Sequence, residues 1–483
     1  MATQVDPQTT HAYKRRFLEN PANFLDFPIE VVFSLDPAEL NEIHLRHAKD
    51  RFAFGVEHIA MVRQLATQNE VSRIDSFDDL LPLLYSQDTF KSYPQSWLET
   101  GDFNRLNRWL GKLCAIDLRN VDASPCSLIE DWIKVLASES SIDLLISAGA
   151  DGKAAFLPRT RDEWGVMHRV TLWNFQSSMT GRNGESLALR VGVDKAPLIH
   201  PGARGGARSW GRFLDFYEQT FGTGLVDAPL GYNDSDLLSL AGRIREASKK
   251  GEAGSLQINP GLLARKNEIA RINADKPRRM EALMQRLGND YRGRRIICYS
   301  SMQMLHDLAT RLRDQNITGA FASDSFFFCG GGFADGKEPA NWKQQAAAVL
   351  GIPETSIHVG YGMQEGLWAT NQCPAGKFHI PVTVIPFVLD ETNNQPLPRT
   401  GRQTGRFAFF DLLPTTSWGG YISSDRVTIS WDRHCDCGRM GAFLDPDIGK
   451  VPERQDDKIG CAGTSGALEV HSFPIEARDQ TIF

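Results

Sequence analysis

The sequence predicts an α/β fold, and three features of the 483-residue chain predict it: a mainly helical stretch over residues 1–140, short β-rich runs alternating with helices from residue 142 onward, and a β-rich segment near residues 380–432. Alternation of compact apolar runs with helical periods is how strands joined by crossover helices read. The segment IPVTVIPFVLDE, with GRFAFFDLL and RVTISW after it, is dense in β-formers and turn residues and predicts a smaller β subdomain. The expected organisation is a helical part at 1–140, an α/β part at 141–370, the β-rich subdomain at 371–455 and a short remnant at 456–483.

Individual elements follow from local chemistry. Asp36-Pro37-Ala38-Glu39 combines an N-cap, a proline at the first helical position and a capping-box glutamate, so a helix is predicted through ELNEIHLRHAKDRFAF. Ser127 to Leu136 has a second amphipathic period, whereas YSQDTFKSYPQSWLETGDFNRLNRWL, from Tyr85, reads as an irregular surface segment. Ile142–Ile146 and Arg294–Tyr299 predict strands, and a helix is predicted from Met302 to Gln315, stopping near Asn316 and Gly319. Phe326–Cys329 predicts a strand ending on Gly330, Gly331 and Gly332, where missing side chains let a flat ring lie against the backbone. PGARGGAR (201–208) and GEAGS (251–255) read as surface loops, and no internal repeat is present.

Bulk properties narrow the function. A net charge of −6 argues against a dedicated nucleic-acid or membrane-surface binder, which carries a basic footprint. No apolar run approaches the roughly 20 residues that span a bilayer, and the start MATQVDPQTTHAYKRR lacks the apolar core of a signal peptide. A cytoplasmic location is expected. Eight cysteines are too sparse for a disulfide scaffold.

Three motifs carry the chemistry: Gly360-Tyr361-Gly362-Met363-Gln364-Glu365, Gly420-Tyr421-Ile422-Ser423-Ser424-Asp425, and Glu453-Arg454-Gln455-Asp456-Asp457. Making an acyl adenylate needs a carboxylate to hold Mg²⁺ on the ATP phosphates, a second to grip the ribose, and a cation near the α-phosphate. Glu365, Asp425 and Arg454 are the candidates in that order. Gly331-Gly332-Phe333, a helix beginning near Glu338, Gly351-Ile352-Pro353 and Tyr361–Glu365 resemble, in order and spacing, the acyl-protein synthetases of bacterial bioluminescence, and the tail resembles phenylacetate-CoA ligase. Both belong to the adenylate-forming superfamily. The resemblance covers roughly residues 80–463 and implies a large N-terminal body followed by a small C-terminal domain, here truncated.

The resemblance implies roles residue by residue. Glu365 resembles the magnesium-holding glutamate, Tyr361, beside Gly362, the aromatic residue packing on adenine, Asp425 the ribose aspartate, Arg454 the arginine near ribose and phosphate, and Asp456 the hinge. A carboxylate accepts both ribose hydroxyls at once. Ser147-Ala148-Gly149-Ala150-Asp151-Gly152-Lys153 resembles the phosphate loop, with Ser147, Gly149, Gly152 and Lys153 kept and Ala150 and Asp151 departing from it. An aspartate beside a polyphosphate repels it unless turned away or bridged by Mg²⁺. The usual C-terminal lysine has no place in the short tail, and Cys461, the one cysteine after the hinge, is a candidate acyl-carrying nucleophile. Cys373, His379, Cys435 and Cys437 supply three sulfurs and an imidazole, a tetrahedral Zn²⁺ set of structural type.

The expected activity is therefore ATP-dependent, AMP-forming activation of a carboxylic acid, aryl or hydrophobic. The acyl group would pass to a thiol (coenzyme A, a carrier protein or a protein cysteine) or to a small amine. Two other readings stay open: a binding module for a carrier protein or partner subunit, which keeps the fold without the chemistry, and an ATP-independent acyl transferase acting through Cys461.

Overall fold

The computed structural model describes residues 5–148, 152–178, 196–252, 254, 256–333 and 337–451. Asp36 begins the first long helix as its sequence predicts: its carboxylate accepts the Ala38 N–H at 2.8 Å, Pro37 opens the helix, and the helix runs Pro37–His58. Glu39 reaches across to Lys14 of the helix Pro7–Glu19, at 2.6 Å. Further on, the predicted amphipathic helix spans Ile129–Glu139. The segment from Tyr85 to Leu110 departs from expectation, because it is packed rather than irregular surface. It contains the helices Ser96–Thr100 and Phe103–Leu110, and Tyr93, Leu106 and Leu110 are fully buried. Phe103, Leu106 and Leu110 share one helical face, a period too short to stand out among the polar residues between them.

Fourteen strands follow in three sheets among the described residues. Strands β1 (Leu145–Ala148) and β2 (Ala154–Leu157) form an antiparallel hairpin. The second sheet contains β3 (Leu198–Ile199), β4 (Val226–Asp227), β5 (Ile297–Ser301), β6 (Phe326–Gly330), β7 (Ile357–Gly362) and β8 (Ala369–Asn371) in the order β4-β3-β5-β6-β7-β8. All pairs in it are parallel except β7–β8. The third sheet is antiparallel and contains β9 (Phe378–His379), β10 (Val384–Leu389), β11 (Arg402–Asp411), β12 (Gly420–Ser430), β13 (Phe443–Leu444) and β14 (Gly449–Lys450).

The run Phe326-Phe327-Phe328-Cys329 shows why the parallel sheet reads as continuous apolar sequence. Phe327 and Cys329 face a core shared with Leu305, Leu312, Trp342 and Leu350 of the helices Met302–Asp314 and Trp342–Leu350. Phe326 and Phe328 face the opposite core, with Phe175, Phe213 and Tyr217. Both faces of the strand are covered, so nothing polar is called for.

The loop Pro201–Arg208 is the second correction. It reads as a surface loop, yet Pro201, Gly202, Ala203, Gly205, Gly206 and Ala207 are buried. Its glycines serve close approach: Gly205 and Gly206 have φ of 69° and 71°, and a Cβ on Gly206 would lie 2.1 Å from the Asn233 carbonyl oxygen. A Cβ on Gly211, in the helix Ser209–Phe221, would lie 1.9 Å from the Gly205 carbonyl oxygen. Neither backbone can yield without moving the loop. Gly211→Ala is therefore expected to lower unfolding free energy by about 3 kcal/mol, read from the urea midpoint. An unchanged midpoint would contradict this packing.

Candidate active site

The chain reverses direction across the parallel sheet between β3 and β5: from β3 it steps out to β4, then returns to β5 on the other side of β3. In open α/β sheets such a switch point leaves a crevice beyond the carboxyl ends of the strands. The segments emerging at that edge are His200–Arg208 after β3, Met302 onward after β5, Gly331–Phe333 after β6, and Met363–Gly366 after β7. The His200 ring bridges the switch point, its Nδ1 2.6 Å from the Tyr299 carbonyl oxygen, and burial pushes its pKa down to about 4. The side-chain amide of Gln364 donates to Ser209 Oγ at 2.9 Å, which ties the loop after β7 to the helix that follows Pro201–Arg208.

Gly330 pairs in register with Gly360, so the glycine-rich end of β6 lies beside the start of the Tyr361 motif. A Cβ on Gly332 would meet nothing within 4 Å, and one on Gly330 would meet only the Gly360 carbonyl oxygen, at 3.7 Å. Gly331 has φ 69° and is exposed. These positions leave open space. At Gly362 a Cβ would lie 2.9 Å from the carbonyl oxygen of Trp368, the residue just before the paired strand β8.

Asp425 is aimed by a bulge. Along β12 four residue steps, Ile422 to Arg426, face two steps of β11, Ala408 to Arg406. The Ser423 hydroxyl closes the irregularity by donating to the Phe407 carbonyl oxygen at 2.7 Å and accepting the Asp425 N–H at 3.0 Å. Asp425 then receives the Tyr361 hydroxyl at Oδ2, 2.8 Å, and the Lys450 ammonium at Oδ1, 2.9 Å. Lys450 is the residue paired with Asp425 across β12–β14, and it also donates to Ser424 Oγ at 2.7 Å.

Glu365 lies in the same patch. The Tyr421 hydroxyl donates to its Oε1 at 3.2 Å. Burial pushes its carboxyl above the ordinary carboxylate value, while its own backbone N–H, the Tyr421 hydroxyl, and the charges of Lys91 and Lys450 pull the other way. Burial, with the two nearby carboxylates, also pushes the Tyr361 and Tyr421 hydroxyls well up, so both remain donors at neutral pH. Lys91 arrives through an added strand-like contact: the Tyr85 N–H donates to the Gly420 carbonyl oxygen at 3.0 Å and the Ile422 N–H to that of Tyr85 at 2.8 Å, just before the short helix Thr89–Lys91.

The structure thus brings Tyr361, Glu365, Asp425 and the glycines of β6 to one edge. Ser147 lies on β1 opposite Ala155. Gly152, at φ 79°, is buried against the helix Ser235–Lys249, where a Cβ would lie 2.7 Å from Glu246 Cβ, so packing accounts for this glycine. Lys153 donates to the Tyr93 carbonyl oxygen and sits 4.5 Å from the centre of the Tyr93 ring. Gly149, Ala150, Asp151, Arg454, Asp456 and Cys461 lie outside the described residues. Sequence reasoning missed Lys450, Lys91, Tyr421 and the Pro201–Arg208 loop. The signal for the loop was present: the short apolar run APLI before a glycine-rich turn and an amphipathic stretch is strand–loop–helix grammar.

No protein-family model and no curated protein matches the sequence. Among solved structures, 2-hydroxyisobutyryl-CoA ligase in complex with 2-HIB-AMP and CoA in the thioesterification state is similar over 86% of this chain and 69% of that one, at 15% identity and a TM-score of 0.50. The fold is that of an adenylate-forming ligase. The same ligase in the postadenylation state with 2-HIB-AMP matches over 87% and 69%, at 15% identity and a TM-score of 0.49. ATP-bound MatB from Rhodopseudomonas palustris matches over 64% and 47%, at 12% identity and a TM-score of 0.34. No helix among the described residues is long and apolar enough to cross a membrane.

Away from this edge of the adenylate-forming fold, Cys373, His379, Cys435 and Cys437 come together with their ligand atoms all within 4.8 Å of one another. Cys373 Sγ lies 3.7 Å from Cys435 Sγ, and His379 Nε2 lies 3.1 Å from Cys437 Sγ. The Cys437 thiol, followed by His379, holds the Cys373 sulfur well below the usual thiol range.

Replacing Lys450 by Met removes the cation from Asp425. For a pair whose side chains are 23% and 13% exposed, the expected cost is about 2 kcal/mol, measured by urea unfolding. The cost should shrink at high salt; a salt-independent loss would mean lost packing instead.

Proposed function

We propose that this protein activates a carboxylic acid by ATP-dependent, AMP-forming adenylation. The observation that carries the reading is the meeting of Glu365 and Asp425 in one patch at the carboxyl edge of the parallel sheet, each held by a tyrosine hydroxyl and both beside Lys450. Asp425 would accept the ribose hydroxyls, and Glu365 would hold Mg²⁺ beside the ATP phosphates. Gly330–Gly332 and Tyr361 would bound the adenine. The substrate carboxylate oxygen would attack the α-phosphorus in line, forming the C–O–P anhydride while pyrophosphate leaves with the electron pair of the broken P–O bond. Lys450 and Lys91, whose charges act on Glu365, would offset charge as it shifts, with Lys153 and Arg454 as further candidates.

The acid would lie along the edge between Pro201–Arg208 and Gly331–Phe333. Trp210 and Tyr299 favour an aryl or hydrophobic body there: their ring centroids are 5.7 Å apart, and Tyr299 joins Phe213 and Phe175 in the apolar layer behind. The acyl group would then pass to a thiol, of coenzyme A, a carrier protein or a cysteine such as Cys461, or to a small amine.

The Cys373/His379/Cys435/Cys437 cluster fits Zn²⁺. Bonds of about 2.3 Å set tetrahedral sulfur–sulfur edges of about 3.8 Å, and the Cys373–Cys435 separation is 3.7 Å. Four protein ligands leave no open position, so zinc here would be structural, tying the turn before β9 to the turn before β13.

Wild-type protein is expected to release pyrophosphate from Mg-ATP in an acid-dependent manner when screened with aryl and aliphatic acids, and Glu365→Gln should cut kcat by about 10²-fold. Equal rates in the two proteins would remove Glu365 from the mechanism. Because the Glu365 carboxyl is raised, Mg-ATP affinity should fall as pH drops through a value above the ordinary carboxylate range. Tyr421→Phe, which removes a bond to the ionised form, should move that midpoint higher. The sign is fixed by the proton: Mg²⁺ competes with it for the same oxygens. Elemental analysis of protein never exposed to chelator should find one zinc per chain, lost in Cys437→Ala together with a lower thermal midpoint. Metal-free wild type with an unaltered midpoint would dismiss the zinc assignment.

A further inference from the structure

The turn that carries Glu365 is gripped from inside the molecule. Arg159 follows β2 closely, and its side chain is fully buried. Its Nη2 donates to the carbonyl oxygens of Gln364, Glu365 and Gly366 at 2.9, 3.0 and 3.4 Å, and its Nη1 to Ser417 Oγ at 3.2 Å. Asp411 on β11, also fully buried, holds the same turn by the opposite polarity: Oδ2 accepts the Leu367 N–H at 2.7 Å and Oδ1 the Leu413 N–H at 3.0 Å. Glu163 completes the set, accepting the N–H groups of Thr160, Thr415 and Thr416 at 3.0, 2.7 and 2.8 Å. The charges of Glu163, Asp411 and Glu365 counter the burial that pushes the Arg159 guanidinium down.

A buried charge is costly unless its geometry is closely satisfied, and only a guanidinium offers a planar fork that can serve converging carbonyls and a hydroxyl together. An apolar residue would leave those carbonyls unpaired in the interior. Because Arg159 lies two residues after β2 (Ala154–Leu157), the grip joins two segments far apart in sequence. We infer that Arg159 is a positioning residue that locks the Glu365 turn to the segment after β2, so that the carboxylate proposed to hold magnesium keeps one fixed position. Its catalytic meaning rests on the ligase reading; its structural content does not.

The test compares full-length wild type, Arg159→Lys and Arg159→Gly by amide hydrogen exchange and by Mg²⁺ titration of acid-dependent pyrophosphate release. In Arg159→Lys, exchange at Gly366 and Leu367 should rise about tenfold with β10–β11 unchanged. The Mg²⁺ concentration for half-maximal rate should rise about tenfold while KM for the acid stays within about twofold. Methylguanidinium should restore protection in Arg159→Gly. Unchanged exchange at Gly366 and Leu367 in either variant overturns the inference, and so does a uniform rise along the chain, which a merely destabilising change produces. If wild type releases pyrophosphate and Arg159→Lys shows the same Mg²⁺ dependence, the lock fails while the ligase reading stands. If wild type releases none with any acid, the ligase reading fails and the exchange measurement alone decides the lock.

Discussion

Asp425 sits where it does because β12 carries more residues than the stretch of β11 opposite it. The surplus has to leave the ladder, and the Ser423 hydroxyl replaces the lost ladder bonds by serving Phe407 on one side and Asp425 on the other. Without that bulge the pleat alone would set the direction of the carboxylate, and nothing would direct it toward Tyr361 at the end of β7. The Tyr361–Asp425 bond is also where the parallel sheet meets the antiparallel one. Trp368, Phe378 and Phe407 surround the Tyr361 ring with centroids 5.6, 6.0 and 6.2 Å away, so a polar bond between two sheets is embedded in an apolar wall. Low surrounding polarity strengthens such a bond and keeps the phenol protonated.

The parts of the molecule legible in the sequence are those where one local rule decides the outcome. Asp36-Pro37 can only begin a helix, and Phe326–Cys329 followed by glycines can only be a buried strand that ends in a turn. The Tyr361–Glu365 and Gly420–Asp425 motifs stood out by residue type and order, and the structure brings Tyr361, Glu365 and Asp425 into one patch. What escaped was decided by tertiary neighbours. Pro201–Arg208 has the composition of a surface loop, since glycine serves exposed turns and tight burial equally well. Only the approach of Asn233 and Gly211 distinguishes the two. Lys450 is an ordinary lysine until the β12–β14 register sets it against Asp425. At Gly152 and Gly362 a Cβ would meet a helix and a neighbouring strand segment, a reason for glycine that local sequence does not encode.

The cysteine–histidine cluster and the edge that carries Asp425 are connected through the antiparallel sheet. His379 pairs with Phe443 across β9–β13, and Leu444 of β13 pairs with Ile429 on β12, the strand that carries Asp425. Phe378, adjacent to His379, packs against Tyr361. Thiols gathered this closely repel as thiolates and pack poorly as thiols; one cation resolves both difficulties. A bound metal would therefore stiffen the support behind the site rather than take part in it.

The charges buried behind the site argue for position over stability. Arg159, Glu163 and Asp411 are each at least 98% buried, at exposures of 0%, 2% and 0%, and burial pushes the Asp411 carboxyl up to about 6. Between its ordinary value and about 6 the folded chain binds a proton that the unfolded chain has released, so Asp411 makes the fold less stable as pH rises through that window. A core built for stability alone would place apolar side chains there, which often serve as well or better. What apolar groups cannot do is tell a carbonyl from an amide. Arg159 takes the carbonyls of residues 364–366 and Asp411 takes the amide of Leu367, and a turn held by both polarities has one conformation in which every partner is met. The fold gives up stability at this junction and gains a fixed direction for Glu365.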